Sequence, residues 1–115
     1  MNERLLRRGD IVLVDFEPAR ANEANKKRPS VVITNNQANL HGTSVVVVPL
    51  SSNVSTVYPF QSHLPLERTN LDYDSKAQVE LLRSVSISRI RQHLGQIPED
   101  LMLELDEKLR LHLGL

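Results

Sequence analysis

The stretch VVVVPL at residues 45–50 is the most apolar run in the chain, and it decides how the rest of the sequence is interpreted. It is too short for a helix with core contacts, and its first four residues are β-branched, which favours a pleated, buried surface. We therefore predict a central buried strand. Pro49 has no N–H for a sheet ladder, so the ladder must stop there or move to an edge. Residues 51–57 are then expected to leave the sheet as a loop.

Shorter segments of strand-like composition lie on both sides of this run. They are predicted at residues 11–16, 30–34, 60–66 and 78–82, with shorter candidates at 85–87 and 94–97. Residues 17–27 (EPARANEANKK) have no apolar periodicity, which indicates a long exposed loop. Turns are predicted at residues 35–37 and over the Asn- and Asp-rich piece at 68–75.

The last part of the chain carries the pattern of an amphipathic helix. Pro98 and the two acids that follow it are a helix start, since proline fits the first turn and acids are stabilised at the positive end of the helix dipole. The predicted apolar stripe of this helix consists of Leu101, Met102, Leu105, Leu109 and Leu113. Several short strands followed by one helix predict a mostly β fold, a small antiparallel barrel or sandwich closed by a C-terminal helix.

Length and composition limit the class of protein. At 115 residues the chain has the size of one domain, and we expect residues 1–115 to form a single unit. No apolar run approaches the roughly 18 residues of a membrane span, and the N-terminus lacks an apolar signal segment, so a cytoplasmic protein without membrane contact is expected. The absence of cysteine excludes disulfides, thiolate metal sites and a cysteine nucleophile.

The net charge of +0 does not provide the overall basic footprint expected of a nucleic-acid binder. The charges are nevertheless segregated along the chain. Residues 83–93 contain three arginines and no acid, whereas residues 99–115 contain five acids against Lys108 and Arg110. Each segment is either a solvated face or a contact surface.

Motifs that would indicate other chemistry are absent. The sequence has no HExxH, Gly-rich phosphate loop, GxSxG or GxGxxG motif, which argues against zinc peptidases, nucleotide hydrolases, α/β-hydrolases and Rossmann enzymes. Its four histidines are dispersed and turns explain its acids, so no metal site and no cofactor are predicted. What remains is a basic loop before a strand (KKRPSVVIT) and a buried strand ending in small polar residues (PLSSN). These two features alone do not indicate a nuclease.

Three segments of the chain resemble the sequence motifs of the MazF/PemK family of toxins. RRGDIVLVDFEP (residues 7–18) is similar to the family's opening, in which an Arg-Gly-acid turn leads into the first strand. KKRPSVVITNN (residues 26–36) resembles its Arg-Pro motif, and VVVVPLSSN (residues 45–53) resembles its strand that ends in hydroxyl residues. The order and spacing of the segments fit, so the resemblance covers nearly the whole chain.

The resemblance implies a fold, an activity and partners. The fold is a small SH3-like antiparallel barrel with a C-terminal amphipathic helix. The activity is that of a growth-inhibiting mRNA interferase, a metal-independent endoribonuclease that cuts single-stranded RNA at short motifs and leaves 2′,3′-cyclic phosphate and 5′-hydroxyl ends. The implied partners are single-stranded RNA, a second copy of the chain in a homodimer, and a cognate MazE-like antitoxin with an extended acidic tail.

The resemblance also assigns catalytic residues. The family's essential arginine corresponds to Arg28 and its essential threonine or serine to Ser51, with Ser52 as the alternative one residue along. A guanidinium suits bidentate contact with the phosphoryl oxygens, on which negative charge builds when the 2′-OH attacks phosphorus. Ser51 would donate a hydrogen bond to the same phosphate, and whether Arg28 also transfers a proton is left open. Because the nucleophile is the substrate's own 2′-OH, DNA is expected to resist cleavage.

Further residues are predicted to contact RNA. A loop over residues 20–27 is expected to close over the strand and bring lysines to its phosphates, while amide side chains contact base edges. Lys26 and Lys27 are assigned to phosphates, Asn36, Gln37 and Asn53 to bases, and the rest of the RNA-binding set is Arg20, Ser52, Gln78, Arg83 and Ser84. Leu81 stands where relatives often have glutamine, so their RNA motif is not transferable. With 3% aromatic residues, base stacking is not expected to be the main source of affinity.

Two alternatives from other functional classes are left open. The same barrel would suit a non-catalytic toxin that binds a protein target, such as gyrase, through its C-terminal helix. The chain would otherwise be an inactive relative whose only partner is an antitoxin. Cleavage of RNA by the purified protein distinguishes the nuclease from both.

Overall fold

A computed structural model describes residues 5–16 and 27–115 of the chain. Its strands are β1 (Asp10–Asp15), β2 (Lys27–Val32), β3 (Ser44–Ser51), β4 (Ser62–Leu64), β5 (Ser75–Ala77), β6 (Arg83–Ser86) and β7 (Ile90–Gln96). Its helices are α1 (Asn36–His41), α2 (Leu66–Thr69) and α3 (Glu99–Leu113), with single 3₁₀ turns at Val79–Leu81 and Ile87–Arg89. The predicted fold class is confirmed: a mostly β, antiparallel, barrel-like sheet followed by a C-terminal helix.

The central position predicted for VVVVPL is confirmed by the pairing of β3. The sheet has the order β4-β5-β3-β2-β1-β7, and β6 also pairs with β3. Two strands pair with successive parts of the same edge of β3. Strand β6 pairs with Ser44 to Val47, and β5 pairs with Leu50 and Ser51. Between them the carbonyl of Pro49 accepts a hydrogen bond from the N–H of Gln78 at 2.9 Å. The ladder therefore changes partner at the residue that has no N–H to offer.

Alternating residues of the central strands pack into two apolar clusters. The helix-side core consists of Ile11, Val31, Val48, Leu50, Leu64, Ala77, Val79, Ile97, Leu101, Leu105 and Leu109. The second core consists of Leu6, Val12, Val14, Val32, Val45, Val47, Val85 and Ile90. Because β1, β2 and β3 contribute to both clusters, these strands are buried on both faces.

The first strand begins at a turn that requires glycine. The N–H of Asp10 donates to the carbonyl of Arg7 at 2.9 Å, and Gly9 has a φ of 94°, a left-handed conformation that side chains disfavour. Gly9 also donates its N–H to Val32 and accepts from Ile97. The Arg-Gly-Asp sequence thus ties β1 to β2 and to the segment that leads into α3.

Helix α3 packs on the sheet through the predicted residues, with one exception. Leu101, Leu105 and Leu109 are buried and Met102 packs against them. Leu113 is wrong as a member of this stripe, because it is 52% exposed in the last turn, beyond the edge of the helix-side core. An ion pair of 2.7 Å between Arg8 and Asp106 holds the middle of the helix.

Several strand boundaries differ from the prediction. The segment 78–82 is not a strand but holds the 3₁₀ turn Val79–Leu81, because the chain must cross there from β5 to β6 around Pro49. β2 lies over Lys27–Val32 rather than 30–34, and only Ser62–Leu64 of the segment 60–66 pairs. The expected turn at residues 35–37 is instead the start of α1, where the side chain of Asn35 accepts the N–H of Ala38 as a helix cap.

Candidate active site

A groove of about 910 Å³ opens where β2 begins and β3 ends. The register in which Ser30 faces Pro49 brings the start of β2 beside the end of β3. The groove is lined by Leu13, Arg28, Pro29, Leu50, Ser51, Ser52, Asn70, Leu71, Asp72, Tyr73, Ser75, Gln78, Leu81, Gln92 and Leu94. The motifs at residues 26–36 and 45–53 thus contribute a guanidinium and two hydroxyls to one cavity.

The guanidinium of Arg28 is held by two neighbouring groups. Its Nε and Nη2 donate to the carbonyl of Leu50 at 3.2 and 2.9 Å, and Nη2 also donates to Oε1 of Gln78. Within the described residues Nη1 has no hydrogen-bond partner. Three of the five N–H groups of an arginine are therefore occupied, and the two on Nη1 are left for a ligand.

Burial lowers the pKa of Arg28 below its ordinary value, because a half-buried guanidinium loses hydration that favours its charged form. The negative charge of Glu80 acts in the opposite direction. One Glu80 oxygen accepts from Gln61 at 2.8 Å, and the other is buried without a hydrogen-bond partner among the described residues. Arg28 is thus a cation beside one acid that does not contact it directly.

Ser51 has its oxygen fixed and its hydrogen available. Its Oγ accepts the backbone N–H of Asn53 at 3.1 Å, a local turn that holds the side chain at the end of β3. No acceptor for the hydroxyl hydrogen lies among residues 5–16 and 27–115, so this hydrogen is available for a ligand in the groove. A half-buried guanidinium and a hydroxyl donor in one cavity form a suitable binding site for a phosphate.

The structure brings some predicted RNA-binding residues together and not others. Ser52 and Gln78 line the groove with Arg28 and Ser51, whereas Lys27, Asn36, Gln37, Asn53, Arg83 and Ser84 are not among its lining residues. The predictions for Arg20 and Lys26 lie outside the described residues.

Three of the predicted residues outside the groove, Asn36, Asn53 and Arg83, already have local side-chain contacts. The Asn36 Oδ1 accepts the N–H of Arg8 at 2.6 Å, beyond the far end of β2 from Arg28. The Oδ1 of Asn53 accepts from Ser55, and the guanidinium of Arg83 lies 5.1 Å from the centre of the Phe16 ring. Their assignment to RNA stays a prediction.

Sequence reasoning missed one wall of the groove. Asn70, Asp72 and Tyr73 lie in the piece at residues 68–75 that the sequence predicts as turns, and Gln92 lies on β7. Polar and aromatic residues in a segment without apolar periodicity can indicate a binding surface. The sequence gives no indication, however, that this segment lies next to Arg28.

Residues 5–16 and 27–115 contain neither a metal-binding cluster nor a membrane-spanning helix. No group of three or more histidines, aspartates or glutamates there has the geometry to hold a metal ion. No helix in the same ranges is long and apolar enough to cross a membrane.

Comparison with known proteins gives consistent matches over nearly the whole chain. The family described as PemK-like, MazF-like toxin of type II toxin-antitoxin systems matches residues 7–113. Endoribonuclease MazF9 of Mycobacterium tuberculosis is 43% identical over 116 aligned positions, which cover 96% of this chain and 98% of that protein.

Solved structures show the same fold. MazF (Form-I) from Deinococcus radiodurans is similar with a TM-score of 0.80 and 25% identity, covering 98% of this chain and 100% of that one. An endoribonuclease in complex with its cognate antitoxin from Mycobacterial species has a TM-score of 0.77 and 19% identity, covering 100% of this chain and 97% of the other.

Proposed function

Because the chain belongs to the family of PemK-like, MazF-like toxins of type II toxin-antitoxin systems, we propose that it is an endoribonuclease that cuts single-stranded RNA at a short motif. The observation that carries this proposal is the meeting of Arg28, Ser51 and Ser52 in one groove. It is supported by the name of the 43% identical relative, an endoribonuclease. The proposed cleavage needs no metal ion, as the family resemblance implies.

The proposed reaction uses the substrate's own 2′-OH as nucleophile. Its oxygen loses its proton to solvent water and forms a bond to the adjacent phosphorus, while the bond from phosphorus to the 5′-oxygen breaks and that oxygen takes up a proton. The products are a 2′,3′-cyclic phosphate and a 5′-hydroxyl. Negative charge grows on the phosphoryl oxygens as the new bond forms, and donors that face this charge lower the barrier. The two N–H groups of Arg28 Nη1 and the hydroxyl of Ser51 supply such donors.

Arg28 is proposed to meet the phosphate with Nη1 rather than with its Nε edge. The Nε edge of the guanidinium is occupied by the Leu50 carbonyl, so a phosphate is met by Nη1. Gln78 fixes Nη2 and thereby the direction of Nη1. We therefore assign Gln78 to positioning Arg28, in place of the direct RNA contact predicted from the sequence. Because burial lowers the pKa of Arg28, proton donation to the leaving 5′-oxygen is easier than from a solvated arginine.

The proposed partners follow from the family and from the solved relatives. One similar structure is an endoribonuclease bound to its cognate antitoxin, and we propose that a cognate antitoxin also neutralises this chain. We further propose that the chain works as a homodimer in the cytoplasm, where its mRNA substrate is translated. Sedimentation that gives a monomer at micromolar concentration would contradict the dimer.

The direct test is incubation of the purified chain with a long single-stranded RNA in excess EDTA. We expect discrete cleavage products from the wild type and none from Arg28→Ala, with unchanged thermal midpoints showing that the variant is folded. Intact RNA with the wild type would overturn the nuclease assignment and favour the protein-binding or inactive alternatives.

A further inference from the structure

The groove has a wall that the proposed catalytic groups leave unexplained. Asn70, Asp72 and Tyr73 line the same cavity as Arg28 and Ser51. They belong to the segment between α2 and β5, and the cleavage chemistry uses none of them. A carboxylate repels a phosphate and adds no affinity for it. Asp72 is therefore expected to bind a part of the ligand other than the phosphate.

The N-terminal end of this segment is anchored by several contacts. Asn70 ends α2 in a left-handed conformation with a φ of 65°, and its N–H donates to the Leu66 carbonyl at 3.1 Å. Leu71 packs against the helix-side core. Gly95 of β7 allows the close approach, since a Cβ there would lie 2.8 Å from the carbonyl oxygen of Thr69. The backbone that presents Asp72 and Tyr73 is therefore anchored on the sheet.

Asp72 and Asp74 differ in their contacts although they are two residues apart. The Oδ1 of Asp74 accepts the N–H of Leu66 at 2.9 Å, which caps the start of α2, and its Oδ2 lies 4.0 Å from His63. Within residues 5–16 and 27–115, the exposed carboxylate of Asp72 has no hydrogen-bond or ion-pair partner. Asp74 thus has a structural role, whereas Asp72 offers two free acceptors at the groove.

The two tyrosines of the chain form a similar contrast. Tyr58 stacks on Phe60 with ring centres 5.6 Å apart, and it does not line the groove. Tyr73 is 69% exposed, lines the groove, and has no ring partner in the part of the chain that the structure describes. An exposed aromatic ring beside a phosphate site is suited to stack on an unpaired base.

We propose that Tyr73 and Asp72 select the RNA motif: Tyr73 stacks on one base next to the scissile phosphate, and Asp72 accepts hydrogen bonds from the donor edge of that base. Guanine fits best, because its Watson–Crick edge presents two adjacent donors to a carboxylate, while uracil presents one N–H between two carbonyls. This inference rests on the proposed RNA cleavage. It further specifies that one position of the cleaved motif is guanine.

The test compares Asp72→Asn with Asp74→Asn on a randomised single-stranded RNA pool, with sequencing of the 5′ ends produced. Both variants remove one negative charge, and an asparagine at position 74 still accepts the N–H of Leu66, so nonspecific charge effects cancel. The wild type and Asp74→Asn should show guanine at one motif position. Asp72→Asn should reduce that preference by about tenfold, the usual order for losing a two-point base contact.

Tyr73 is tested on a fixed RNA that carries the motif. We expect Tyr73→Ala to raise KM by about tenfold, while Tyr73→Phe and the matched Tyr58→Ala remain close to wild type. A motif without guanine, or a guanine preference that Asp72→Asn leaves intact, would overturn the inference. So would a Tyr73→Ala enzyme with wild-type KM. No cleavage by the wild type would instead refute the proposed function itself.

Discussion

The orientation of the Arg28 guanidinium is fixed by its hydrogen bonds within the protein. The Leu50 carbonyl and Gln78 occupy three of its N–H groups, so the side chain is preorganised before RNA arrives. The sequence indicated the arginine through the resemblance, but not this arrangement. A carbonyl of β3 and an amide from the 3₁₀ region come together only through the pairing of three strands.

Single alanine variants test whether Ser51 or Ser52 donates the hydroxyl hydrogen bond to the scissile phosphate. Ser51 has its oxygen fixed by Asn53, so it presents its hydroxyl in a defined direction, whereas Ser52 is exposed after the strand has ended. Ser51→Ala should lower kcat by about 10²-fold, as loss of one donor to a developing oxyanion does elsewhere. Ser52→Ala should stay within a few-fold of wild type. The reverse ranking in single-turnover cleavage would move the role to Ser52.

Gln78→Glu tests whether the positioning group must be neutral. The substitution keeps the shape of the side chain but places a carboxylate against Nη2 of Arg28, which raises the pKa of the arginine and repels the phosphate. We expect kcat to fall by about 10²-fold and more than in Gln78→Leu. Full activity of the glutamate variant would contradict a positioning role.

At the scale of elements, the parts with strong local patterns were predictable. The β-branched run of β3 and the four-residue leucine spacing of α3 carry their structure in their own composition. Strand β5 was not predicted, and β6 was predicted only in part, as the candidate at residues 85–87. The boundaries of both strands depend on the change of partner at Pro49 and not on local periodicity.

Leu105 and Leu103 test which face of α3 holds the fold. Leu105 is fully buried in the helix-side core, and Leu103 is 61% exposed on the same helix. Leu105→Ala should lower the free energy of unfolding by about 2–5 kcal/mol, since it leaves a cavity. Leu103→Ala should change it by less than about 0.5 kcal/mol. Equal effects in urea unfolding would contradict the packing of α3.

The contribution of the Arg68–Asp100 pair, at the start of α3, to the stability of the fold should depend on pH. A hydrogen bond of 2.7 Å from Arg68 lowers the pKa of Asp100 below its ordinary value. Because the folded pKa is the lower one, this pair stabilises the fold above about pH 4, and the contribution is lost as pH falls through the folded pKa. The difference in urea midpoint between wild type and Asp100→Asn should therefore close on acidification. A difference that widens would contradict the assignment.

At the level of the whole molecule, the strand topology explains how residues from distant parts of the sequence form one groove. One antiparallel register brings the Arg-Pro motif and the end of β3 together, and the crossing from β5 to β6 adds Gln78. The resemblance predicted this meeting of Arg28 and Ser51. It did not predict the wall formed by residues 70–73, because the position of that segment depends on long-range packing against Gly95 and the core.

In the proposed reaction, the 2′-OH of the RNA itself attacks the scissile phosphate in the groove. The most direct measurement places a single 2′-deoxynucleotide immediately 5′ of a mapped cleavage site in an otherwise unmodified RNA. We expect this one change to abolish cleavage there, while a second, unmodified site in the same strand is still cut to a 2′,3′-cyclic phosphate. Cleavage at the deoxy position at the normal rate would contradict it.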